Sequence, residues 1–389
     1  MLSTRIKKIK NAIIYFITGI IIFIIKLKPV SKKENTLLLI RLDAIGDYIL
    51  FRNFLESVRK SKKYSGYKIT LCGNIIWKSL SESFDAQFVD DFIWVDRKKF
   101  YFNFIHKYKF LKAIYKRGFE TVVETTHSRE ILFGDTIVNA AHAVNSIGSI
   151  GSGEEFTAWK RKLLTNKLYT ELIEISNQNL FEFEINKELF RKLLSEKLEI
   201  TKQSLDASSI NRTGLVKKNY VLLFPGSSDP ARMWAANNFK DVAEYIISNY
   251  DYDIIITGSK SESHLFEKII CKDSEKRFIN LFGNSLPELA KSVSEAKLLI
   301  SNDTSAVHFA AATGTPFICI SNGSYFGRFN PYPAGTVSNS IHLYPESFLV
   351  KMNDIDSLHL KYRYGTDIDI NEIKPQVVIE EIKKILTAG

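Results

Sequence analysis

The feature that most constrains this chain is an alternation that occurs twice. Aliphatic runs alternate with stretches of helical periodicity from residue 36, and the pattern restarts at residue 220. In the first half "TLLLI" (36–40), "YKITLCG" (67–73), "DDFIWV" (90–95) and "ETVVETT" (120–126) read as strands, with helical pattern at 48–61 and 104–117. In the second half "YVLLFPGSS" (220–228), "YDIIITGS" (252–259), "RFINLFG" (277–283), "AKLLISND" (296–303) and "TPFICISNG" (315–323) do the same, with helical pattern at 237–250, 261–271, 286–295 and 304–313. Strands separated by helices build βαβ units and parallel sheets. A chain of 389 residues also exceeds what one core usually serves. The expected fold is therefore α/β, with two doubly wound domains and a cleft between them. Expected segments are a basic, apolar N-terminus (1–34), a first domain (35–205), a linker (206–219) inside the polar stretch 201–219, a second domain (220–370) and a C-terminal helix (371–389) interrupted near Pro375. Residues 154–200 read as largely helical.

Charge narrows the partners. The net charge of +10 is concentrated at the start: residues 1–33 hold eight Lys or Arg and no acid, leaving 45 basic against 43 acidic residues in the remainder. A near-neutral body argues against a general nucleic-acid binder. Between the basic clusters runs "NAIIYFITGIIIFII" (11–25), uncharged and apolar all round. Fifteen residues give roughly 22 Å of helix, short of the ~30 Å hydrocarbon core. Such a run also suits a buried core helix, but basic flanks favour a membrane-embedded or interfacial anchor beside anionic headgroups. "RKKFYFNFIHKYKFLKAIYKR" (97–117) adds eight Lys or Arg, no acid and seven Phe or Tyr, a mixture suited to a lipid boundary or to a solvated basic face. The three cysteines, Cys72, Cys271 and Cys319, are far apart and suggest neither a disulfide framework nor a zinc site.

Three loops carry the candidate chemistry. In "RLDAIGDYILF" Asp47 stands beside Gly46 at a helix start after a buried strand, where it reads equally well as a cap or as a ligand-site carboxylate. "LLFPGSSDPARMW" offers the hydroxyls and amides of Ser227 and Ser228 followed by Arg232, the donors and single cation that suit a diphosphate, although a plain turn reads similarly. In "ISNDTSAVHFAAATGTP" Asp303 is expected to cap a helix of small residues whose first amides would receive an anion. His308 lies one turn in, as a packed residue or a site residue. "DYD" (251–253) resembles a carboxylate pair but opens a strand, so no metal site is expected there, and no cofactor is implied.

Order and spacing of "LLLIRLDAIGDYILFRNFLESVR", "LLFPGSSDPARMWAANNFKDVAEYI" and "NLFGNSLPELAKSVSEAKLLISNDTSAVHFAAATGTPFICISNG" resemble glycosyltransferase family 9, the bacterial heptosyltransferases of lipopolysaccharide assembly. The resemblance implies a GT-B fold, two Rossmann-like domains with the acceptor on the first and a nucleotide-diphosphate sugar on the second. It assigns the base to Asp47 and the donor cation to Arg232, where the family usually has Lys. It matches the family's Asp-Thr-Gly to Asp303, Thr304 and Ser305, with the family His at His308. Where many members show Asp-x-Gln-Gly this chain has "ETTHSRE", so Glu124, His127 and Arg129, with Arg41 at the end of the first strand, are the expected acceptor-side groups. Glu262 is placed to accept ribose hydroxyls. The implied reaction is inverting, metal-independent transfer to a lipid-linked or lipopolysaccharide saccharide. The implied location is the cytoplasmic face of the bacterial inner membrane, peripheral or monotopic, on an anionic surface.

Rival readings have weaker support. A dehydrogenase lacks G-x-G-x-x-G after the first strand; "GSIGSGEE" has its glycines in another order and is expected to lack a preceding strand. A GT-B sugar-nucleotide epimerase, or a non-catalytic membrane-attached sugar-nucleotide binder, would share the fold.

Overall fold

The computed structural model describes residues 2–151, 155–177, 179–211, 219–338, 340–350, 355–362 and 365–387. It divides into two compact units, Met1–Gln178 with Glu184–Glu199, and Asn179–Phe183 with Ile200–Gly389.

The first unit runs α1 (Leu2–Lys26), β1 (Lys33–Arg41), α2 (Ile45–Phe51), α3 (Asn53–Lys60), β2 (Lys68–Asn74), α4 (Lys78–Phe84), β3 (Asp91–Val95), α5 (Arg97–Phe102), α6 (Phe104–Arg117), β4 (Phe119–Glu124), α7 (Gly134–Ala141), β5 (Asn145–Ser149), α8 (Glu155–Leu164), β6 (Glu171–Ile173) and most of α9 (Glu182–Leu194). The six strands form a parallel sheet in the order β3-β2-β1-β4-β5-β6. Leu37–Ile40 of β1 are wholly buried, as a central strand covered on both faces requires. The chain order reverses between β1 and β4, and ligands of such sheets bind where the strands end at that reversal. α6 has the bounds its periodicity predicts: Asn103 caps its start by accepting from the His106 amide, and Gly118, at φ +63°, ends it.

Two expectations change here. The single helix over 48–61 is two helices meeting at Arg52, whose guanidinium is drawn to buried Asp85 at 2.6 Å, a partner 33 residues away with no local signal. "GSIGSGEE" does follow a strand, since β5 runs into it, although its glycine order still differs from the dinucleotide fingerprint.

α1 begins nine residues before the uncharged run and forms part of the unit. Ile22 and Ile25 enter its core, and polar ties fasten the same edge: Tyr101 Oη donates to Asn11 Oδ1 at 2.5 Å, Lys107 Nζ to Thr18 Oγ1 at 3.2 Å, and Lys26 Nζ to Asn139 Oδ1 at 2.9 Å. Lys107 is fully buried among Phe100 and Phe104, and burial pushes its amine down to about 8. The folded state therefore releases this proton more readily than the unfolded chain does. The cost of charging it inside is fully present below pH 8 and fades as pH rises from about 8 toward the ordinary lysine range. Lys107→Met removes that cost, and Thr18 keeps its own bond to the Ile14 carbonyl. Its melting temperature should rise by about 2–4 °C for each kcal/mol gained at pH 7, with the advantage shrinking above pH 8. Calorimetry at pH 7 and pH 9.5 checks this.

The second unit runs β7 (Tyr220–Phe224), α10 (Ala236–Asn249), β8 (Asp253–Ile256), α11 (Phe266–Ile269), β9 (Phe278–Asn280), α12 (Leu286–Ser294), β10 (Leu298–Asn302), α13 (Ser305–Thr313), β11 (Phe317–Ile320), β12 (Ser340–Leu343), α14 (Glu346–Leu349), α15 (Ile355–Tyr362) and α16 (Pro375–Leu386). Its parallel sheet has the order β12-β11-β10-β7-β8-β9, the same topology as the first, with the reversal between β7 and β10. Pro375 does not interrupt the last helix but starts it, at the position where its missing amide proton costs nothing. Residues 201–211 of the polar stretch belong to this unit: the Leu205 amide donates to the Ala312 carbonyl and the Leu205 side chain is buried. Residues 212–218 of the expected linker lie outside the described residues.

Candidate functional site

In the second unit the two loops expected on the donor side leave the sheet side by side at its reversal. Asn302, the last residue of β10, ties them together: its Nδ2 donates to the Pro225 carbonyl at 2.7 Å and its Oδ1 accepts from the Trp234 amide at 3.1 Å. Arg232 sits at the end of a short 3-10 turn begun by Asp229 and Pro230, and its Nη1 donates to the Asp303 carbonyl at 3.3 Å. Its guanidinium lies 5.6 Å from the Tyr325 ring centroid. One cation is thereby held at the mouth of α13. Ser227 is half-buried and accepts the Asp229 amide at 3.3 Å, while Ser228 is exposed. Gly226 allows the Glu262 carboxylate to lie against this loop, where a Cβ would collide with it.

Two expected roles change. Thr304, not Asp303, caps α13, its hydroxyl accepting from the Ala306 amide at 3.3 Å. Asp303 is buried instead, accepting from Asn330 Nδ2 at 2.5 Å and Ser321 Oγ at 3.0 Å. Burial pushes its carboxyl upward, against the pull of Arg232 and those two donors. Ser305, where the resemblance implies Gly, is an ordinary first residue of α13, so the position requires no positive φ. His308 is packed: it shares a 2.6 Å hydrogen bond with Tyr332 Oη, and burial pushes its ring down to about 3, leaving it neutral at physiological pH. Glu262 closes a capping box, its Oε2 accepting from the Ser259 amide at 2.8 Å and hydroxyl at 2.6 Å, so that oxygen is engaged with the protein.

In the first unit the reversal between β1 and β4 holds Arg41, Asp47 and "ETTHSRE". Asp47 is half-buried in the first turn of α2, whose N-cap Ala44 offers no side chain for capping. Arg41 is buried behind it as a brace: Nε pairs with Asp43 at 2.7 Å, Nη1 donates to the Thr125 carbonyl at 3.1 Å and Asn186 Oδ1 at 3.0 Å, and Nη2 to the Asp47 carbonyl at 3.4 Å. Arg41 thus joins the two loops as Asn302 does in the second unit.

The remaining acceptor-side candidates are interior rather than lining. Glu124 lies against Gly134, which has no Cβ to displace it, and burial pushes its carboxyl up to about 8, so it is mostly protonated at pH 7. His127 shares a 2.7 Å bond with Ser149. Arg129 donates to Asn166 at 2.5 Å, lies 3.6 Å from Asp135, and stacks on Tyr169 at 4.4 Å. All three are buried: Glu124 Oε1 accepts from the Thr126 amide at 3.0 Å, while Ser149 of β5 and Asn166 before β6 receive His127 and Arg129. The residues missed by the sequence reading are Asn302, Tyr325, Asn330 and Asn186. Only Asn302, beside Asp303 at a strand end, carried a local signal.

The family profile described as glycosyltransferase family 9 (heptosyltransferase) matches residues 157–358. The chain belongs to glycosyltransferase family 9. A curated relative, lipooligosaccharide heptosyltransferase 2 of Haemophilus ducreyi, is 24% identical over 172 residues, covering 42% of this chain and 46% of the relative. The match thus spans a little under half the length of that protein. Among solved structures, ADP-heptose lps heptosyltransferase II of E. coli superposes with a TM-score of 0.66 at 15% identity, over 91% of this chain and 99% of that one. The family 9 glycosyl transferase of Veillonella parvula does so with 0.67 at 18%, over 92% and 99%. E. coli heptosyltransferase WaaC, solved with ADP-2-deoxy-2-fluoro heptose, gives 0.66 at 15%, over 90% and 99%. These likenesses show that the family 9 chain has a GT-B-like fold.

Proposed function

We propose that this family 9 member is an inverting glycosyltransferase that moves a heptose or related sugar from a nucleotide diphosphate to a hydroxyl of a membrane-linked lipopolysaccharide acceptor, at the cytoplasmic face of a bacterial inner membrane. The observation that carries the proposal is the pairing of Arg232 with the Asp303 carbonyl at the start of α13. One cation and the first amides of a helix converge there, an arrangement suited to a diphosphate. Asp47 takes the proton of the acceptor hydroxyl as that oxygen attacks the anomeric carbon. The bond to the diphosphate breaks on the opposite side, and the leaving charge is met by Arg232, Ser227, Ser228 and the amides beyond Thr304. Because that charge is neutralised by the chain's own groups, the reading assigns no metal a role. Asp303 and His308 support the loop from beneath, as positioning residues.

Thermal unfolding with ADP, GDP, UDP, dTDP and their sugar conjugates tests the donor side. A matching ligand at 100 times its dissociation constant adds about 2.7 kcal/mol, a shift of about 5–10 °C for a unit of this size. Solved relatives named for ADP-heptose make the adenine series the expected winner. No shift with any of the four nucleotides would contradict the reading.

A further inference from the structure

α1 has two unlike edges. Ile14, Thr18, Ile22 and Ile25 face the unit and are buried. Ile6, Ile9, Ile13, Phe16, Ile20 and Phe23, spaced alternately by three and four, form an opposite stripe exposed to 46–69%. Phe102 and Ile105, exposed to 57% and 71%, extend it across the junction of α5 and α6. Between α1 and Tyr101–Phe104 lies an apolar groove of about 470 Å³, with Lys10 at its edge, 4.5 Å from the Phe102 ring centroid. Ile6–Lys26 is long and apolar enough to cross a membrane by length and composition. Crossing, however, would break the Tyr101–Asn11, Lys107–Thr18 and Lys26–Asn139 bonds along its inner edge. A second copy is a poor cover for the stripe. Residues 1–33 and 97–117 carry sixteen Lys or Arg and no acid, so two such faces repel.

We propose that α1 lies in the plane of an anionic leaflet as a monotopic element, its outer stripe among the acyl chains, with the groove beside Phe102 holding one acyl chain of an anionic phospholipid whose phosphate meets Lys10. This rests on the reading of a membrane-linked acceptor and names the lipid chemistry and the orientation. The cations flanking the stripe supply the charge complementarity, and aromatic side chains at its border suit the headgroup boundary.

Removing residues 1–33 would uncover the core that Ile22 and Ile25 fill, so point substitutions are the sound test. The full chain should float with phosphatidylglycerol-containing vesicles, less at high salt, and stay behind with pure phosphatidylcholine. Ile13→Glu with Phe16→Glu, and separately Phe102→Glu with Ile105→Glu, should each weaken flotation by about tenfold or more. Both pairs are exposed, and unchanged melting certifies the fold; Lys10→Glu gives a third variant that leaves the apolar surface intact. In a Cys271→Ser background, Lys7→Cys and Lys28→Cys should both react with an impermeant maleimide on inside-out membrane vesicles. A Lys7→Cys thiol protected until lysis means that α1 spans, and overturns the proposal. Flotation indifferent to the stripe, or a lipid-free dimer dissolved by the same substitutions without vesicle binding, also overturns it. Vesicle binding needs neither donor nor acceptor, and transfer to a soluble acceptor needs no vesicle, so this proposal and the enzymatic one fail separately.

Discussion

Asp47→Ala should lower glycosyl transfer by about 10²–10⁴-fold while nucleotide affinity stays nearly unchanged. The carboxylate stands half-buried on the first turn of α2, at the reversal of its sheet, and Arg41 holds the Asp47 carbonyl from behind at 3.4 Å. Truncating it removes the proposed proton acceptor and keeps the acceptor of the Arg41 Nη2 bond, which is the Asp47 backbone carbonyl. Loss should fall on kcat, since the proton moves only as the new bond forms. Asp47→Asn, isosteric but unable to accept the proton, should be as impaired as Asp47→Ala. Steady-state kinetics with a nucleotide titration separates the two quantities, and an Asp47→Asn enzyme of normal kcat would remove the residue from this role.

Arg232→Ala should have the second largest effect, about 10²–10³-fold in kcat/KM for the donor, with both a raised KM and a lowered kcat. Charge on the diphosphate grows as the sugar leaves, so a cation at the α13 mouth is felt more in the transition state than in the ground state. Arg232→Lys should recover most of this, because the charge remains, but not all, because the planar fork and the contact over Tyr325 are lost. Melting should change little, as Arg232 is partly exposed and its 3.3 Å bond runs to a backbone carbonyl at the rim.

Periodicity made the strongly apolar strands legible. Leu37–Ile40 and Leu298–Ile300 are wholly buried, and a strand covered on both faces must be apolar throughout. The same logic missed β5, "NSIGS", β6, "ELI", and β12, "SIHL", which lie toward or at the sheet edges and carry too few apolar residues to announce themselves. The candidate loops were legible where their polar groups sit together in the local chain, as in "IGDY" and "PGSSDPAR". Side-chain placement was not legible where a group answers to distant partners. Asp303 looked like a cap because Asp at a helix start usually is one; Asn330, 27 residues on, takes its carboxylate inward. Glu124, His127 and Arg129 looked like a strand-end cluster open to ligand, but Gly134, which leaves room for Glu124, and Ser149 and Asn166, which bond the other two, come from elements no local pattern connects to them.

The most direct test is a crystal structure with an inert fluorinated ADP-sugar and a soluble acceptor bound together. The expected result puts an Asp47 oxygen about 2.6–3.2 Å from the acceptor hydroxyl, with the diphosphate on Arg232 and the start of α13. A diphosphate bound elsewhere, or an acceptor hydroxyl beyond reach of Asp47 with another carboxylate beside it, would contradict the division of labour argued above.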